Sequence, residues 1–269
     1  MAYSTIPKGS LYMNTKLYTG NGSTNNITGV GFQPDWVWIK NRGSANHYLF
    51  DVVRGVQKNI HSNENYAEVT EATTLTAFGS DGFTLSTDAD LNGNGASVVS
   101  WNWKAGTGQG SSNTDGSINT TYTSVNTTAG FSISSYTGSG ANATIGHGLG
   151  VTPNVVLVKC LSSTGNWKMH HTSLAPITSL NLNDTSAQIS TASVFNSMAT
   201  LNSSVFSVGT EGDTNSNGLT YVAYCFADVQ GYSKFGSYTG NGNADGTFVY
   251  TGFKPAFVMV KNTSVSQDW

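Results

Sequence analysis

The chain has 269 residues, enough for two domains of ordinary size, each burying its own core. Charged residues make up only 10% of it, the formal net charge is −3, and the 12 Lys and Arg form no basic run, so the composition excludes a nucleic-acid footprint. No apolar stretch approaches the ~20 residues that span a bilayer, and Met1 to Lys16 lacks the apolar core of a secretory leader, so neither membrane insertion nor a cleaved export signal is expected.

Reading from the N-terminus, Tyr18-Thr19-Gly20-Asn21-Gly22 is a turn that leads into a proline-headed strand, Pro34 to Lys40. In that strand Trp36 and Trp38 point one way and Val37 and Ile39 the other, which predicts burial on both faces. Proline at its start is tolerated because the first residue need not donate to the ladder. The stretch Asn65 to Thr76 is the best helical candidate, but its threonines and lack of caps argue against a helix. Gly82-Phe83-Thr84-Leu85 alternates at period two, and Val98 to Trp103 closes the unit as a second apolar strand. Gly106 to Asn119 is rich in Gly, Ser, Thr and Asn and has no apolar pattern, so it reads as a linker.

The same landmarks then return. Tyr136-Thr137-Gly138-Ser139-Gly140 and Tyr238-Thr239-Gly240-Asn241-Gly242 repeat the turn, while Pro153 to Lys159 and Pro255 to Lys261 repeat the strand. An aromatic follows each strand Lys by 8 residues: Tyr48, Trp167 and Trp269 (48−40, 167−159, 269−261). The back half repeats once, with 18 residues from Phe83 to Trp101 and again from Phe206 to Tyr224 (101−83, 224−206). The expected organisation is a first module at 15–105, a linker at 106–117, a second module at 118–228, and the start of a third at 231–269 that lacks a back half. The predicted class is all-β, with tandem two-sheet sandwich or jelly-roll modules strung as separate units. An isolated strand pair is marginal in water, so Tyr238–Lys261 is expected to pack on the second module or on another subunit.

No catalytic constellation emerges. Glycosidases need two flanking carboxylates, yet Asp51 is the only acid in an apolar strand, and the simplest reading pairs it with Arg54. No nucleophile elbow or phosphate loop is present, and adjacent His170 and His171 face opposite sides of a strand, so the chain does not read as an enzyme. Asp88, Asp90 and Asn92 have the alternating oxygen spacing of a calcium loop, echoed by Glu211, Asp213, Asn215 and Asn217, but position twelve is Val99 and supplies no bidentate carboxylate. Calcium is therefore the one cofactor to test at Asp88, Asp90, Asn92, Asp213 and Asn215; no other is implied. Tyr48 and Trp167 follow polar turns and are the candidate ligand-stacking rings, whereas Trp36, Trp38, Trp101 and Trp103 read as core. Cys160 and Cys225 are too few for a disulfide framework and read as small buried hydrophobes.

The runs Gly31 to Arg42, Asp51-Val52-Val53-Arg54-Gly55, Ser80 to Leu85 and Trp101 to Gly106 resemble a repeat of marine bacteriophage proteins, as do Gly146 to Gly150 and Tyr221 to Ala227 in the second copy. The resemblance covers nearly the whole chain. It implies concanavalin-A-like, lectin-type sandwiches in a virion structural protein, tail-associated and extracellular after lysis. Other virion proteins, a host-surface glycan and a homo-oligomer are the partners it implies. A purely structural spacer or capsid decoration protein, or a polysaccharide depolymerase, are the alternatives. Relatives continue past the point matching Trp269, so a fragment or a shortened product is expected.

Overall fold

The computed structural model describes residues 4–269. The architecture is all-β: the α-helices α1 (Ala89–Asn92), α2 (Ala192–Phe195) and α3 (Gly212–Asn215) are single turns. The candidate helix at 65–76 instead forms β6 (Val69–Thr70), a turn and the start of β7 (Leu75–Gly79).

Two halves share one strand plan. In the first, β1 (Met13–Thr19), β9 (Ser97–Trp103), β3 (Trp36–Asn41), β4 (His47–Asp51), β5 (Lys58–His61) and β6 form a large sheet in that order. A small sheet of β2 (Asn25–Thr28), β8 (Gly82–Leu85) and β7 covers it. In the second, β11 (Phe131–Thr137), β18 (Thr220–Phe226), β13 (Val155–Cys160), β14 (Lys168–His171), β15 (Thr178–Asn181) and β16 (Ile189–Ser190) follow the same order, with β10 (Tyr122–Asn126) added outside. Its small sheet pairs β12 (Ala143–Gly146) with β17 (Val205–Val208). The strand that closes each unit, β9 or β18, is last in sequence but central in the sheet, between the first strand and the proline-headed one.

The two-faced strand behaves as its alternation predicts. Val37 and Ile39 enter the interior of the first sandwich with Ile27, Phe50, Phe83 and Leu91. Trp36 and Trp38 leave on the other face, and there the packing departs from modules on a string. They meet Phe131, Val155, Leu157, Trp167 and Tyr224 of the second half in one shared apolar cluster. Trp36 stacks on Tyr224 with centroids 4.7 Å apart and packs at a tilt against Trp103 at 4.5 Å. Three cores result, one inside each sandwich and one between the large sheets. The physical cause is that strands apolar on both faces have a second face to bury, and each half provides the other's cover.

The segment read as a linker is pinned. Asp35 is fully buried, and its carboxylate accepts from the backbone N–H of Ala105 (2.7 Å), Thr107 (3.0 Å) and Gly108 (3.1 Å). Further along, Ser111 bridges to Thr123 and Ile118 to Ile145. In the third copy, residues 255–261 form no strand despite their sequence pattern.

Candidate functional site: the junction between repeats

The residues singled out as ligand or metal groups are occupied by the fold. Trp167 is completely buried, and Tyr48 is buried with its hydroxyl donating to Asp90 Oδ2 at 3.0 Å, so neither ring presents a stacking face to solvent. Nor do they share a position. Ile39 pairs with Tyr48 whereas Val158 pairs with Lys168, so the second loop is one residue longer in register and the counterpart of Trp167 is His47. Both His47 and Trp167 donate their backbone N–H at 2.8 Å to an Asn side chain, Asn63 and Asn183. A one-residue slip turns a side chain to the other face, which is why Tyr48 lies inside a sandwich and Trp167 between the sheets.

The acidic turns are likewise engaged. Asp88 caps α1, accepting at 3.0 Å from the N–H of Asp90 and of Leu91. Asn92 and Asn215, both fully buried, clamp the glycine turns: Asn92 donates to the carbonyls of Ser23 and Ser86, and Asn215 to those of Ala141 and Gly209. Their side-chain oxygens accept from the N–H of Asn21 and of Ser139. Gly20 and Gly138 are glycines because a Cβ there would strike the backbone carbonyl oxygens of Gly93 and Ser216. Asp213 faces the ammonium of buried Lys168 at 3.3 Å, with Glu211 on the same ammonium at 3.6 Å, so a protein cation already sits between the two carboxylates. Among the described residues, no three His, Cys, Asp or Glu side chains gather where a metal ion could be held.

Asp51 is fully buried beside Arg54, which contacts it at 2.5 Å through Nε. Tyr224 of the second half donates its hydroxyl to the same carboxylate at 2.7 Å. Burial and that neighbouring negative charge both push the Tyr224 phenol well above its ordinary range. Arg54 continues to Glu68 at 3.1 Å and to the carbonyls of Leu49 and Lys58. This is a charge network with its acceptors filled, and it ties the two halves together.

Around it lies a junction that sequence reasoning missed. The loop after the proline-headed strand forms a hook, clasped by the strand Lys: Lys40 Nζ donates to the carbonyls of Asn41 and Ala45, and Lys159 to those of Cys160 and Gly165. Burial pushes the Lys159 ammonium down to about 8. The hook of the second module grips the edge of the first. Trp167 Nε1 donates to His61 O (2.7 Å), Gly165 N to Asn65 O (2.8 Å), and Glu68 N to Leu161 O (2.8 Å). The hook of the third copy grips the second in the same way. Trp269 Nε1 donates to Asn181 O (2.9 Å), Gln267 N to Thr185 O (2.9 Å), and Gln188 N to Thr263 O (3.1 Å). Every edge residue is displaced by 120 (181−61, 185−65, 188−68) and every hook residue by 102 (269−167, 267−165, 263−161). Phe257 of the third copy packs edge-on against Trp101 and Trp103 of the first, so the succession turns about one apolar axis. The available signal was the recurring Lys-to-aromatic spacing, which marks the hook but not what it grips.

The family described as Domain of unknown function (DUF7483) matches residues 8–269. The chain belongs to that family. No curated protein and no solved structure matches it. Family membership therefore spans both sandwiches, both junctions and the third copy, and it attaches no activity to any of them.

Proposed function

We propose that this DUF7483 protein is a structural component of a bacteriophage virion, tail-associated, in which stacked β-sandwiches form a rigid scaffold. The observation that carries the scaffold reading is the junction repeated bond for bond, which couples successive units through backbone groups and a common core. Backbone-to-backbone coupling fixes relative orientation, the property a spacer needs. The placement in a virion rests on the resemblance of the repeat motifs to phage proteins.

Display of lectin-like sites for host glycans has weaker support. Sugar stacking needs exposed rings, and the two candidate rings, Tyr48 and Trp167, are interior. A depolymerase role has less still, since Asp51 is enclosed by Arg54 and Tyr224. The surface hollow lined by Thr127, Thr128, Gly130, Val151 and Asp228 is open and holds no acid pair. Mass spectrometry and immunogold labelling of purified particles test the proposal: the protein is expected on the tail, and its absence from particles overturns the reading. A glycan array probed with the purified chain is expected to stay blank, and saturable binding to a bacterial surface sugar would restore the lectin reading.

A further inference from the structure

At one cross-strand position the two modules carry different chemistry. Tyr48 of β4 faces His61 of β5 in the first sheet, and Lys168 of β14 faces Asn181 of β15 at the matching place in the second (168−48 and 181−61 are both 120). The first pair is a ring contact with centroids 4.4 Å apart, and the Tyr48 hydroxyl rests on Asp90. The second replaces both rings with an amine and a carboxamide, 5% and 3% exposed, and Asp213, the counterpart of Asp90, turns to the amine. Lys168 Nζ donates to Asn181 Oδ1 at 3.1 Å, and Asn181 Nδ2 donates to Asp184 Oδ2 at 2.6 Å. An ammonium cannot accept and a carboxylate cannot donate, so these two contacts fix the amide with its carbonyl toward the amine. Oδ1 is one bond, about 1.23 Å, from Cγ, so the amine nitrogen lies beside the amide carbon. Asp213 at 3.3 Å and Glu211 at 3.6 Å are placed to receive an amine proton. Packing alone does not call for this set: the first module fills the same place with rings, and a buried ammonium carries a desolvation cost.

We propose that Lys168 and Asn181 are the reacting pair of an intramolecular isopeptide bond, formed by the folded chain itself. Lys168 Nζ passes a proton to Asp213, and the freed lone pair forms the Nζ–Cγ bond. The Cγ–Nδ2 bond breaks. The departing nitrogen takes up that proton and the second one shed by the amine, and leaves as ammonium. The positive charge departs with it, no electrons pass to another reactant, and the buried ammonium becomes a neutral secondary amide. Asp184, which holds an Nδ2 hydrogen, orients the leaving group. The fold supplies the rate: fixing amine and amide in contact turns a bimolecular encounter into a unimolecular step, worth an effective molarity on the order of 10⁵ M or more. The product bolts β14 to β15, which pair only over Lys168–Asn181 and Met169–Leu180. It also anchors the residue whose carbonyl receives the Trp269 hook. The inference stands on the geometry of this pair and is independent of the virion assignment.

The test is the intact mass of the full-length protein, held folded at neutral pH and then denatured. The chain is expected one ammonia lighter than its sequence. Fragmentation of a trypsin digest should show the 168–169 bond uncut and a branch joining Lys168 to Asn181. Lys168→Arg keeps a positive charge beside Asp213 and Glu211 but removes the amine, so it should retain the full mass. Asp213→Asn should slow the conversion by at least about tenfold. An asparagine that closes on its own backbone also sheds ammonia, but without a branch and equally in Lys168→Arg. The proposal is overturned by a full-mass chain after prolonged incubation of the folded parent, by cleavage at 168–169, by an ammonia loss undiminished in Lys168→Arg, or by an unchanged rate in Asp213→Asn.

Discussion

The two complete modules and the C-terminal copy begin with the same front-half sequence and end in different states. Pro34–Lys40 and Pro153–Lys159 become central strands, while Pro255–Lys261 carries the same alternation and forms none. The difference lies in the partner strand. β9 and β18 arrive from more than fifty residues downstream to fill the centre of each large sheet, and among the described residues no strand pairs with 255–261. A β-favourable sequence reports that a segment suits a pleated, half-buried surface; whether it becomes a strand is decided by what pairs with it.

The sharpest break in that comparison comes from the paired hook tryptophans. Trp167→Ala removes a fully buried indole from the shared cluster together with its bond to His61 O, and should cost about 3–5 kcal/mol in urea denaturation. Trp269→Ala removes the homologous bond at a half-buried ring and should change global stability by less than about 1 kcal/mol, appearing instead as faster exchange over 262–269. Equal global costs would mean that the third copy is as integrated as the complete modules.

Next in size are the turn clamps. Asn92→Ala and Asn215→Ala each strand at least two carbonyls and one N–H that the amide satisfies, so each should cost about 2–4 kcal/mol by chemical denaturation. Asn241, in the third turn, faces no such clamp, and Asn241→Ala should stay within about 0.5 kcal/mol. A large loss at Asn241 would show that the third turn is organised by something other than its back half.

Acid should act on the complete modules alone, since all five histidines lie there. Burial lowers the pKa of His61, His147, His170 and His171, and that of His47, with help from the Lys40 charge, down to about 4. A depressed pKa means that the unfolded chain binds protons first on acidification. The histidine contribution is therefore complete above about pH 6.5 and is lost as pH falls toward 4. Asp35 and Asp88 work the other way, because burial raises their carboxyl pKa values and the folded state takes up those protons early. With five groups against two, a net loss of about 1 kcal/mol between pH 6.5 and 4.5 is expected, after allowing for the partial exposure of His47 and His171. A Tm that is flat or rising over that interval would contradict the burial of these imidazoles.

The fold class was legible because duplication shows twice over: turn glycines and apolar alternation recur at matched spacing, and both sandwiches follow. The opposite facing of Trp36 and Val37 was legible from period two alone. The destination of the outward tryptophans was not, since alternation says that a face is apolar without saying what covers it. The hook was half legible. Lys-to-aromatic spacing located it, yet identical counting equated Tyr48 with Trp167 although register equates His47, because one inserted loop residue is invisible to spacing and decisive for facing. The acidic turns show a related limit. Alternating oxygens that suit calcium also suit a helix cap and a carbonyl clamp, and the structure shows Asp88 capping α1 and Asn92 clamping carbonyls.

The smallest expected effect tests the comparison most directly. Phe248 occupies the place that Ile27 fills in the first core, but at 86% exposure it makes little of the contact that gives a core residue its energetic weight. Replacing it with Ser removes apolar surface already in water, so the change in unfolding free energy should fall within about 0.5 kcal/mol. Stability alone would then understate what the residue does, because exposed apolar area favours association. Sedimentation of the Phe248→Ser protein should show less self-association than the parent at equal concentration. A loss above about 1 kcal/mol would place Phe248 in a packed interior, on a par with Ile27 in the first core.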